Sequence, residues 1–203
     1  MSIALERSVG GFFQEVVGEA VKSRQLEATD QAMSYLVALL TDFAHPDPVR
    51  EDTFERPLAF LLHEALHTTG AERFQRLRAL GDGVLYLTGF FGDHIETRGV
   101  DMAYVTSVGA TAYRGAATML RRPIGETAQP GADDNVFAEL STKFGQFVDV
   151  ITVVAETTLA QQAKSELGVL KLYERWLRSG SATLAKELGA RGLGPVRSGG
   201  GLH

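Results

Sequence analysis

The stretch Val148-Asp-Val-Ile-Thr-Val-Val-Ala155 decides the fold class. On its own it reads as a strand, because β-branched side chains suit a pleated, half-buried surface. Its surroundings say otherwise. Followed back to Asn135, the apolar residues Phe137, Leu140, Phe144, Phe147, Val148, Ile151 and Val154 recur every three or four positions. That is the repeat of one helix face, whereas a half-buried strand alternates every second residue. The segment is therefore read as helix from about residue 135.

The same repeat runs outward in both directions. Phe13, Val16, Val17, Ala20 and Val21 form one stripe. Met33, Leu36, Val37, Leu40 and Phe43 form another, begun by Thr29 as an N-cap and stopped at His45-Pro46-Asp47-Pro48. A helix from Pro57 ends before Gly70, and a longer one runs from about 71 to 91 with Phe74, Leu77, Leu80, Val84, Leu85 and Leu87 as core candidates. Gly81, Gly83 and Gly89 inside it each cost ~1 kcal/mol relative to Ala, so they point to a bend, a break or a close helix–helix approach. Residues 101 to 121 are rich in small side chains, from Ala103 and Gly109 to Ala116 and Ala117, which suits a central helix. The Pro- and Gly-containing segment 123–134 is a loop, and Ser179-Gly180 hinges a last helical pair. The expectation is all-α: a single helical domain over residues 1–190, a bundle of six or seven helices, followed by a disordered Gly-rich tail at 191–203.

With 203 residues, 44% of them hydrophobic, the chain is long enough to bury a core. Its net charge of -5 gives no excess of cations for phosphate capture, so nucleic acid is not an expected partner. The absence of cysteine excludes disulfides, thiolate nucleophiles and Cys-based metal sites. No basic leader precedes an apolar run, and no window has the ~18 apolar residues of a membrane span. A cytoplasmic protein is expected.

One string carries specific chemistry. His63-Glu64-Ala65-Leu66-His67 is the H-E-x-x-H spelling in which a helix sets two imidazoles on one face to chelate zinc. The Glu between them would serve as general base on a metal-bound water. Gly70 continues toward the longer form of the motif, but its last ligand position is Arg73, a permanent cation with no lone pair. A further ligand would have to come from Glu96 or His94. On a helical wheel Leu58, Leu61, Leu62, Ala65 and Leu66 form the apolar arc, and the histidines lie outside it beside Phe60 and Glu64. They face solvent or a partner.

Asp82, in the middle of an apolar helix, needs a partner if buried, and Arg76, Arg78 and Arg114 are candidates. Tyr86, Tyr104 and Tyr113 could add hydroxyls to such an interior network. Leu170, Tyr173, Trp176 and Leu177 form an apolar stripe suited to core or subunit packing. Phe90, Phe91 and Tyr104 are candidates for lining a small-ligand pocket between helices.

The segments Leu80-Gly81-Asp82, Thr88-Gly89-Phe90-Phe91 and Arg98-Gly99-Val100-Asp101, with Leu172-Tyr173-Glu174-Arg175-Trp176-Leu177-Arg178-Ser179-Gly180-Ser181, resemble a group of uncharacterised bacterial all-helical proteins. That resemblance implies an α-helical fold and no activity. The function expected from the residues is a non-enzymatic interaction or regulatory protein, self-associating or docking a protein partner through a helix face, with no cofactor. The alternatives are a zinc-dependent hydrolase built on His63, Glu64 and His67, and a small-ligand-binding bundle.

Overall fold

The computed structural model describes residues 2–45, 56–120 and 135–194, with side chains from residue 9. Among the described residues there is no strand, and the valine-rich stretch lies inside a helix. The all-α expectation holds, but the number of helices does not: nine are described where six or seven were expected. They are α1 (Ser2–Ser23), α2 (Asp30–Phe43), α3 (Leu58–His67), α4 (Gly70–Thr97), α5 (Met102–Leu120), α6 (Val136–Thr142), α7 (Phe144–Gln162), α8 (Glu166–Ser179) and α9 (Ala182–Ala190). Part of the surplus arises at Lys143, whose backbone (φ -103°, ψ 22°) leaves the helical range. It splits the helix read from residue 135 into α6 and α7. The stop at Pro46–Pro48, the loop at 123–134 and the tail from 195 lie outside the described residues. No helix among those described is long and apolar enough to cross a membrane.

The chain groups into two compact units, Met1–Thr152 and Val153–His203, and the division falls within α7. In the first unit α5 is central, packed along α4 and against α6, while α1 packs on α2 and α3 on α4. The small residues of α5 make this possible, with Ala112 and Ala116 having no exposed surface. Glycines mark the closest approaches. A Cβ on Gly81 would lie 2.6 Å from the Tyr113 ring, one on Gly109 would meet Phe144, and one on Gly89 would run into Ile151. Of the three explanations open for the glycines of this helix, close packing accounts for Gly81 and Gly89, while a bend falls two residues beyond Gly89 at Phe91 (φ -124°, ψ 18°). Gly89→Ala is therefore expected to destabilise by about 1–2 kcal/mol. The overpacking penalty outweighs the gain of ~1 kcal/mol in helix propensity, and a urea melt followed by circular dichroism checks it.

The start of α2 is tied across the unit. The Thr29 hydroxyl accepts from the Ala32 amide (3.2 Å) as an N-cap and donates to Glu139 of α6 (2.5 Å), whose other oxygen accepts the Thr29 amide (3.1 Å). Burial pushes the Glu139 carboxyl up, but the Thr29 donors and Lys143 outweigh it and hold the group below its ordinary value.

In the second unit Leu172, Trp176, Leu184, Leu188 and Ala160 form the core, with Val169 and Tyr173 packed on it. Gly180 (φ 65°) supplies the left-handed residue that ends α8. Ser181 then caps α9 by accepting from the Leu184 amide, and its hydroxyl donates to the buried Glu156 (2.6 Å). Arg191 donates to the carbonyl of Ala160, in the last turn of α7, and to that of Ala163, just beyond its end, so it caps the C-terminus of the helix.

Candidate functional site

The H-E-x-x-H residues do sit on a helix, α3, opened by Pro57 at φ -57°. Both imidazoles are exposed, as their place outside the apolar arc implied, and their rings stack with centroids 4.0 Å apart. His67 Nδ1 lies 2.8 Å from the His63 carbonyl oxygen. A carbonyl can only accept, so Nδ1–H is the donor in this contact, and Nε2 takes no part in it. Glu64 is differently placed. Arg56 donates to both of its oxygens, at 2.5 and 3.1 Å, and Arg76 stands 3.8 Å away. The hydrogen bonds from Arg56 hold its carboxyl below the ordinary value. An anion gripped in this way is a weaker base for activating water.

His94 and Glu96, the expected further ligands, lie exposed near the end of α4. Among the described residues no three His, Asp or Glu side chains converge on a point suited to a metal ion. Phe60, the hint of a cover over this face, is 63% exposed. The structure thus brings His63 and His67 together and does not join His94 or Glu96 to them.

The most connected polar cluster lies instead around Asp82. Its Oδ1 accepts from the hydroxyls of Tyr35 (2.6 Å, α2) and Tyr113 (2.8 Å, α5). Its Oδ2 is 3.4 Å from Arg78 Nε, which also donates to the Tyr35 oxygen (3.0 Å). The Arg78 guanidinium lies over the Tyr35 ring, 5.5 Å from its centroid. Of the three expected arginines, Arg78 is the partner; Arg76 pairs with Glu72 at 2.8 Å, and Arg114 is exposed. Burial pushes the Asp82 carboxyl up, although the two hydroxyls and Arg78 pull the other way. Burial and the neighbouring Asp82 push both tyrosine hydroxyls up as well, so they remain protonated donors. Tyr113 was among the tyrosines foreseen, and Tyr35 was not. The missed signal is the row Ala32, Tyr35, Leu36, Leu39 and Leu40, whose helical spacing is as good as the row beginning at Met33. With both oxygens engaged by three helices' worth of donors, Asp82 acts as a clamp.

Around the expected ligand pocket, Phe90 stacks on Tyr86 (4.6 Å), which stacks on Phe43 (4.3 Å), while Phe91 and Tyr104 are each nearly half exposed. A groove of about 580 Å³ is found elsewhere, between α1 and α2, lined by Val17, Val21, Met33 and Val37 together with Lys22 and Asp30. Comparison with known protein families, curated proteins and solved structures gives no match to this chain.

Proposed function

We propose that the protein acts without catalysis, as a helical interaction module whose α8 docks against α8 of a second copy. One observation carries this reading. Leu167, Leu170 and Leu177 are 62%, 52% and 45% exposed along one edge of α8, while Leu172 and Trp176 on another face are buried. Leucines at this spacing, with Glu174 on the same row, follow the a and d positions of a heptad, the pattern by which paired helices interdigitate. Glu166, Lys171 and Arg178 flank the row with charges of both signs, which favours pairing with a like surface over pairing with a strongly charged one. A symmetric dimer uses such a self-complementary patch twice. The engagement of Glu64 by Arg56 weighs against the hydrolase alternative.

The expected result is a mass that rises with concentration toward twice that of one chain in sedimentation equilibrium. The double variant Leu167→Glu/Leu170→Glu should stay monomeric with unchanged circular dichroism, because the replaced side chains are already in water. A wild-type chain that is monomeric across the micromolar to millimolar range overturns the reading, as does a variant that dimerises equally well.

A further inference from the structure

We infer that His63 and His67 form a two-point chelate for a divalent transition-metal ion, nickel(II) or copper(II) ahead of softer or harder ions, on the open face of α3. This goes beyond the docking of α8 and uses a different helix.

Three observations support it together. First, the two imidazoles are already side by side. Their centroids are 4.0 Å apart and their planes differ by 29°. Two nitrogens on one ion, each at about 2.0–2.1 Å, must stand about 3 Å apart, so a modest turn of the side chains closes the chelate. Second, His67 has the supporting bond that metal-binding histidines commonly have. Its Nδ1–H donates to the His63 carbonyl at 2.8 Å, which holds the ring and leaves Nε2 out of that contact. Third, both rings are exposed, so water can fill the remaining coordination positions.

The neighbouring charges define what kind of site this is. Glu64 belongs to Arg56 and Arg76, and Arg76 is also bound by Glu72, so the surrounding guanidinium charge is largely balanced. No carboxylate among these is left to act on a metal-bound water. The pair is therefore a chelate of two neutral nitrogens, and the affinity order of such donors peaks at copper(II), with nickel(II) and zinc(II) on either side. The likeness to a peptidase motif stops at the two ligands.

The test uses the full chain without an affinity tag, titrated with nickel(II) chloride by calorimetry, with the thermal midpoint read in parallel. Wild-type protein should bind one equivalent through this pair and melt at a higher temperature in saturating nickel, since an ion bound only by the folded helix stabilises it. His63→Ala and His67→Ala should each weaken binding by about tenfold or more, because the second bond in a chelate is intramolecular. His45→Ala and His94→Ala should bind as the wild type does. All four positions are exposed, so the variants should keep the wild-type circular dichroism. Absence of nickel binding by the wild type overturns the proposal. So does binding that survives unchanged in both His63→Ala and His67→Ala, which would place the ion elsewhere.

Discussion

Asp82→Ala is expected to unfold about 3 kcal/mol more readily than the wild type at neutral pH. The side chain it removes is the common acceptor for donors on α2, α4 and α5. Tyr113 has no exposed surface, so its hydroxyl could not turn to water and would be left unsatisfied at a cost of about 1–3 kcal/mol. Tyr35 loses its acceptor as well, and Arg78 loses a charge-assisted partner. Arg78 is 41% exposed, and water can replace much of what it loses. Asp82→Asn separates geometry from charge. Its amide oxygen can still accept from the two hydroxyls, so its loss should be smaller than that of the alanine variant.

The pH dependence has a definite sign. Burial raises the folded-state pKa of Asp82 above its ordinary value. A carboxyl in that position binds its proton more tightly in the fold than in the unfolded chain. The resulting stabilisation is complete below the ordinary carboxylate pKa and is lost as pH rises through the folded value. Relative to Asp82→Asn, the wild type should therefore gain stability as pH falls from neutral toward the acid range. Urea midpoints of the pair at several pH values measure this. A difference that stays flat would mean that the hydroxyls and Arg78 cancel burial, and one that grows toward neutral pH that they outweigh it.

Much of the first unit could be read from the order of residues because its core rows have helical spacing. The small-residue run of α5 announced a central helix, and Ala112 and Ala116 are fully buried there. Asp82 stood out as a charge among apolar neighbours, and its partner was one of three arginines named for it. Other features depend on information that a single row does not hold. In α2 two rows compete, and only packing decides that Leu39 is buried while Met33 is partly exposed. Lys143 carries no proline or glycine signal, yet the backbone breaks there. On α3 the apolar arc looked like a core face, but Ala65 alone in that helix is buried and Leu66 is 38% exposed. The ion pair between Arg56 and Glu64 was equally invisible, since H-E-x-x-H fixes which residues share a face and not what else reaches it. Spacing predicts neighbours along a helix well; it says little about neighbours brought in from outside.

Leu184→Ala should cost the second unit about 3 kcal/mol, within the range for emptying a fully buried leucine site. Leu184 has no exposed surface and packs with Leu172, Trp176 and Leu188. The helix that carries it, α9, has only 9 residues, too few to be stable in water without tertiary support. Its attachment rests on Leu184, Leu188 and the Ser181 cap, so the cavity left by alanine cannot be closed without moving the helix itself. The chain's one tryptophan, Trp176, lies in this same cluster, and its fluorescence reports the unit directly. In a urea titration the fluorescence midpoint of Leu184→Ala should fall well below that of the wild type. Lys186→Ala, an exposed change on the same helix, should stay within about 0.5 kcal/mol. Equal midpoints for the two variants would show that α9 is not held by this core, and the assignment of Leu184 as its anchor would have to be withdrawn.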